Sequence, residues 1–134
     1  MKVRFLFLFL MFSYSIAFSQ EFNDAFRGEK GIRAMFYNCE NLFDAEHDTL
    51  KQDQDFLPDG NYRWSKYRYW EKLQRVSKVI TSVGGWEAPE LVGLVEIENT
   101  HVLINLTKGS SLASHNYSFA HFESPDSRGI DVAL

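Results

Sequence analysis

Glu90-Leu91-Val92-Gly93-Leu94-Val95-Glu96-Ile97-Glu98-Asn99 is the stretch that decides the fold class. Leu91, Val92, Leu94 and Val95 follow one another almost without a polar break, the pattern of a strand covered on both faces. Pro89 punctuates its start and acids close its end. On either side of it the period changes from strand to helix. Upstream, Tyr69, Leu73, Val76, Ile80 and Val83 recur at spacings of four, three, four and three residues, one apolar helical stripe over Ser65 to Val83. Ser65 can cap its start, and Gly84-Gly85 supplies a left-handed stop. Downstream, Asn99 can cap a second helix through Val102, Leu103 and Leu106, which Gly109 and the following serines end.

Further out, Ile32, Ala34 and Phe36 alternate with Arg33, Met35 and Tyr37, so a first strand is expected to run to Asn38 with both faces partly covered. Asn41 to Asn61 is rich in Asp and carries Pro58-Asp59-Gly60-Asn61, the composition of a long loop; loops of such length tend to be functional. Asn116 to Phe122 and Gly129 to Leu134 read as two strands joined by the turn Glu123-Ser124-Pro125-Asp126-Ser127. The order strand, helix, strand, helix, strand, strand, without internal repeats, is that of a layered α/β or α+β fold. The sequence breaks off inside the apolar run Asp131-Val132-Ala133-Leu134, from which the N-terminal portion of a longer domain is expected.

The chain has 134 residues, 45% of them hydrophobic and 24% charged, a composition of folded globular proteins with one domain. Met1 to Ser19 is read as a signal peptide: Lys2 and Arg4 are followed by the apolar run Phe5 to Phe12 and by Ala17-Phe18-Ser19, a small-x-small cleavage pattern. The apolar stretch is shorter than the roughly 20 residues of a spanning helix. A secreted or periplasmic location without stable membrane association is therefore expected. Residues 20–31 read as a linker, and 32–134 as the domain. Loss of Lys2 and Arg4 takes Lys plus Arg from 14 to 12 against 18 acids, a net charge of −6, which excludes a general polyanion-coating module. Cys39 is the single cysteine, so no intrachain disulfide is possible; with Met35 and Phe36 beside it, it reads as core filling. Lys66, Arg68, Lys72, Arg75 and Lys78 form a basic strip that reads as a solvated helix face. Tyr62, Trp64, Tyr67, Tyr69 and Trp70 read as core and rim packing; as a contact patch they would instead suit an exported, catalytically inactive binding module on the same fold.

Chemistry concentrates at two strand ends, Asn38-Cys39-Glu40-Asn41 and Glu96-Ile97-Glu98-Asn99. Their carboxylate and amide oxygens are hard ligands, suited to Mg²⁺ or Mn²⁺ and poorly suited to zinc. Alone, an Asn or Glu closing a strand reads as a turn or cap. The four histidines form no catalytic pattern: His101 and His121 read as structural, His47 as part of a solvated loop.

Met35-Phe36-Tyr37-Asn38-Cys39-Glu40-Asn41-Leu42-Phe43-Asp44 resembles the opening motif of the endonuclease/exonuclease/phosphatase superfamily, and Leu91 to Asn99 resembles its second, in which an apolar strand ends in a metal-binding Glu. Ser127-Arg128-Gly129-Ile130-Asp131-Val132-Ala133-Leu134 is similar to a strand of its bacterial members. The resemblance implies the DNase I-like four-layer sandwich and metal-assisted hydrolysis of phosphate esters, with nucleic acid among the candidate substrates. It implies Glu96 as the principal Mg²⁺ or Mn²⁺ ligand, Glu40 as a second acidic contact, and Asn38 as the residue that orients phosphate and water. Arg128 would steady phosphate oxygens and Asp131 would orient a neighbour. Members normally draw a base from an Asp-His pair near the domain's end; this sequence has no counterpart of it, so the chain alone is expected to be inactive.

Overall fold

The computed structural model describes residues 31–85 and 87–134. The signal peptide and all of the linker but Gly31 lie outside them. Strand β1 spans Ala34–Leu42, helix α1 Lys66–Val83, strand β2 Leu91–Ile97, helix α2 Thr100–Gly109, strand β3 His121–Phe122 and strand β4 Asp131–Ala133; short 3-10 turns lie at Gln54–Phe56 and Ser111–His115. The strands form one sheet in the order β1-β2-β4-β3, with β1 and β2 parallel and the remaining pairs antiparallel. A parallel pair needs a crossover connection, and α1 supplies it.

The capping residues act as their chemistry dictates. The Ser65 side chain accepts from Arg68 N and the Asn99 side chain from Val102 N, each satisfying an amide that a helix start leaves bare. Of the two glycines after α1, it is Gly85 that takes the left-handed conformation, at φ 70°. Arg33 clasps the connection between α1 and β2, with ion pairs to Glu90 at 2.6 Å and Glu87 at 3.2 Å. Hydrogen bonds from that guanidinium pull the Glu90 carboxyl down to about 2.

Tyr69, Leu73, Val76 and Ile80 of α1 and Val102, Leu103 and Leu106 of α2 bury themselves against Met35, Cys39, Leu94, Ile97 and Ala133 of the sheet. Both helices therefore cover the same face. Cys39 belongs to this core, and burial pushes its thiol up to about 12, where it is inert as a nucleophile. A cavity of about 80 Å³, open to one side beside Glu90, Leu91 and Leu134, reaches into this layer between Ile80, Leu94 and Leu103. The aromatic cluster divides: Trp64 and Tyr69 are buried, while Tyr62, Tyr67 and Trp70 stay exposed.

The opposite face corrects the expectation that β2 is covered on both sides. Asn38, Val95, Val132 and Phe122 stand in one row across all four strands, and Phe36 sits beside Gly93 in the next. Phe36 is 82% exposed, Phe122 56% and Val132 41%. The apolar pattern recorded two apolar faces, but only one has a covering layer among the described residues. Two layers of the expected sandwich, a helical one and a sheet, are thus described. The strands at the C-terminal end are also shorter than expected, although Ala120 and Leu134 still exchange two backbone hydrogen bonds, at 2.7 and 2.9 Å, and Tyr117 and Phe119 pack against the core. An apolar sheet face of this kind promotes self-association. Sedimentation velocity should find the purified chain concentration-dependent in size, and Phe36→Ser combined with Val132→Thr should shift it toward monomer. A wild-type chain that stays monomeric at high concentration contradicts this.

Candidate metal centre

The two marked strand ends lie side by side. β1 and β2 stay in register as far as Asn38 opposite Val95, and the ladder then breaks: Cys39, Glu40 and Asn41 stand against Glu96 alone before Leu42 pairs with Ile97. Glu40, Asn41 and Glu96 hold φ values of 54°, 62° and 62°, in the left-handed region that side chains disfavour. Each such residue costs on the order of 1–3 kcal/mol and persists only where its surroundings over-determine it. Bulges of this type re-aim side chains at the ends of strands.

Hydrogen bonds supply that over-determination. Asn38 Nδ2 donates to Glu96 Oε1 at 3.0 Å, and the Asn41 amide donates to Glu96 Oε2 at 2.9 Å. The Glu40 amide donates to Asn38 Oδ1 at 2.6 Å. From α1, Lys72 Nζ donates to the carbonyls of Glu40 and, at 3.2 Å, Asn41, so an ammonium ties down the bulged backbone from behind. Lys72 is half-buried, its Nζ 5.5 Å from the Trp64 ring centre, and burial pulls its ammonium below the usual lysine range. The basic strip is therefore not uniformly solvated: Lys66, Arg68, Arg75 and Lys78 are exposed and Lys72 is not. Lys72→Met keeps the stem and removes the two charge-assisted bonds. It should destabilise the fold by about 1–3 kcal/mol in denaturant titration, whereas Lys78→Met should stay within about 0.5 kcal/mol.

The geometry suits a hard divalent cation. Each Glu96 oxygen accepts one N–H and keeps lone-pair capacity free, because an ionised carboxylate offers about four acceptor positions. The side-chain atoms of Glu96 and Asn41 with lone pairs to offer a cation are oxygens, as Mg²⁺ and Mn²⁺ prefer. The side-chain oxygen of Asn41, the residue whose amide holds Glu96, is buried and has no hydrogen-bond partner among the described residues. Such an acceptor is satisfied by a cation or its bound water.

The remaining sequence-marked residues are placed differently. Glu40 contributes its backbone to the bulge, while its carboxylate is exposed and makes no hydrogen bond among the described residues. Arg128 lies ahead of β4 in an exposed turn, paired with Asp126 at 2.9 Å and within the field of the Glu96 carboxylate. Asp131 does not join the cluster. It is 1% exposed, stands opposite Ile97, and accepts from Ser124 N at 2.8 Å.

A second polar cluster escaped the sequence reading. Glu98, immediately past β2, accepts from the Asp44 amide at 2.6 Å; Asn99 Nδ2 donates to Asp44 Oδ2 at 3.2 Å, and His101 Nδ1 lies 3.5 Å from that oxygen. Asp53, 1% exposed, takes the Asp48 amide at 2.7 Å and meets His47 Nδ1 at 2.5 Å. The acidic loop is thus partly interior. Burial, joined by the charges of Asp44, Asp53 and Asp48, pushes the Glu98 carboxyl up to about 8 against the hydrogen bond from Asp44. Trp64 Nε1 donates to Phe43 O at 2.8 Å, and Phe43 stacks on Phe56 at 4.1 Å between ring centres, which carries the loop down onto the core. Glu98-Asn99 directly after the Glu96 motif was the one signal for this cluster.

Among known proteins, the sequence model described as the Endonuclease/Exonuclease/phosphatase family matches residues 33–134. No curated protein and no solved structure matches the chain.

Proposed function

The chain belongs to the endonuclease/exonuclease/phosphatase family, and we propose that it takes part in divalent-metal-assisted hydrolysis of phosphate esters, with Asn38 and Glu96 at the centre of the site. The family is one of phosphoesterase-type hydrolases, generally dependent on a divalent metal. The single observation that carries the reading is the convergence of Asn38 and Glu96, 3.0 Å apart, at a paired break in two parallel strands.

A phosphate ester is an anion that repels a nucleophile, and charge builds further on its oxygens during displacement. When bound, Mg²⁺ or Mn²⁺ would supply Lewis-acid neutralisation of that charge and a more acidic water. Glu96 is the residue to hold the cation, its carboxylate fixed by the Asn38 side chain and the Asn41 amide. Asn38, bonded through Oδ1 to the Glu40 amide, keeps its second Nδ2 proton for a phosphate oxygen or a water. Arg128 is the guanidinium nearest this role; it must exchange Asp126 for a phosphate. Glu40, exposed beside the bulge, is the candidate second acidic contact, and Asp131 acts by orienting its neighbours. No acid-histidine pair among the described residues is bonded to the Asn38–Glu96 cluster, so turnover by this chain should be slow but measurable. The reading of residues 1–19 as a signal peptide suits a secreted or periplasmic enzyme.

The test is hydrolysis of a chromogenic phosphodiester and of plasmid DNA by this chain with Mg²⁺. Activity should vanish with chelator and return with Mg²⁺ or Mn²⁺. Activity that survives both chelation and Glu96→Gln contradicts the mechanism.

A further inference from the structure

A second set of potential ligands stands on the other face of the sheet. His121 pairs with Ala133 and Asp131 with Ile97, so both side chains share the helix-bearing face, whereas Asn38 shares the open one with Val95 and Val132. Asp131 Oδ2 lies 3.0 Å from His121 Nε2. Both atoms are buried, yet neither makes a hydrogen bond among the described residues, so ring and carboxylate stand side by side without a donor aimed at an acceptor. A buried polar atom left in that state costs about 1–3 kcal/mol. Glu123 completes the group, with one ligand atom from each of the three residues within 4.8 Å of the others.

We propose that His121, Glu123 and Asp131 form a second divalent-cation site, one that takes a transition ion such as Zn²⁺ in preference to Mg²⁺. An imidazole nitrogen with two carboxylates is a donor set for zinc rather than for a hard cation. Two ligands held at about 2.0–2.2 Å from one ion stand roughly 3–3.5 Å apart, as His121 and Asp131 do at 3.0 Å. The bond from Ser124 N to Asp131 Oδ1 is of the outer kind that orients a ligating carboxylate. Three protein ligands leave a fourth position for water.

Lys51 is the competing cation. Its Nζ lies 3.2 Å from Glu123 Oε2, and its stem crosses Gly129, where a Cβ would come within 3.0 Å of Lys51 Cγ. Gly129 has φ 81°, a conformation in which a side chain is strained in any case. A bound ion takes the place of this ammonium beside Glu123, and it fastens the two-residue strand β3 to β4 and to the 123–130 connection at one point. None of this depends on the phosphoesterase reading.

Calorimetric titration of the purified chain with Zn²⁺, in millimolar Mg²⁺ to occupy the hard site, should give one Zn²⁺ per chain. Glu123→Gln, a surface change that leaves the core intact, should weaken it at least tenfold. His121→Ala should abolish it, and Lys51→Met should tighten it severalfold by removing the competitor. Co²⁺ should give a visible absorption band, and Zn²⁺ should shift the His121 Nε2 resonance. No Zn²⁺ binding, or binding indifferent to Glu123→Gln and Lys51→Met, overturns the proposal and leaves His121 and Asp131 as a plain pair.

Discussion

Glu96→Gln is expected to lower metal-dependent phosphodiesterase activity by roughly a hundred- to a thousandfold, the scale for removing one well-placed electrostatic group, equivalent to about 3–4 kcal/mol of transition-state stabilisation. Two losses combine. The substitution removes the carboxylate charge at the centre of the Asn38–Glu96 cluster, so a cation loses its anionic ligand. It also spoils the cradle: both carboxylate oxygens accept N–H donors, from Asn38 and from the Asn41 amide, and a glutamine must present its own N–H to one of them. One donor is then left facing another, in a backbone already held at φ 62° at position 96. Asn38→Ala keeps the charge and removes the support, and should cost about 10–100-fold in metal affinity, as loss of an orienting partner does. If both variants bind Mg²⁺ like the parent chain, Glu96 is no ligand.

The second large effect concerns stability and pH. Glu98 has its folded carboxyl pushed up to about 8 from an ordinary value of 4.5, by burial first and then by Asp44, Asp53 and Asp48. A raised folded value means that the folded chain holds this proton more tightly than the unfolded chain. Its contribution is therefore complete below about 4.5 and is lost progressively as pH rises to about 8. At about 1.4 kcal/mol per unit, the loss across that window is on the order of 4 kcal/mol. Thermal or denaturant unfolding in chelator should show stability falling from pH 5 to pH 8. Glu90, drawn down to about 2 by Arg33, acts at lower pH and does not mask the trend. Glu98→Gln keeps an oxygen for the Asp44 amide and cannot ionise, so it should flatten the profile and be the more stable form at pH 8. Equal slopes for the two chains contradict this account.

Periodicity carried the helices and the order of the elements. The stripe from Tyr69 to Val83 and the caps Ser65 and Asn99 are written in residue types whose behaviour is local, and α1 and α2 begin where those caps stand. The two strand ends were legible as a candidate site only through the resemblance of their motifs, because an Asn or Glu closing a strand by itself reads as a turn or cap. The device that joins them was not. Its left-handed positions are Glu40, Asn41 and Glu96, none of them glycine, so no backbone signal announces the bulges, and the strand was expected to stop at Asn38 although β1 resumes pairing at Leu42. Lys72 was hidden for a related reason. On a helix wheel it belongs to the basic strip, and only the proximity of two bulged carbonyls turns it inward. Asp44, Asp53 and Glu98 look solvated because acidic loops usually are; Phe43, Phe56 and Trp64 drag this one into the core. Conversely, the apolar run of β2 promised two covered faces, because a sequence reports what a face is made of and not what stands on it.

If Glu96, its carboxylate fixed by the Asn38 side chain and the Asn41 amide, holds one hard cation, that cation lies within a few ångströms of both donors. Mn²⁺ titrated at substoichiometric levels into the ¹⁵N-labelled chain tests it directly through paramagnetic broadening. The Asn38 side-chain amide and the Asn41 backbone amide should broaden first, and Glu96→Gln should restore both. If those two signals stay sharp while amides elsewhere broaden, the cation is not held there and the assignment is wrong.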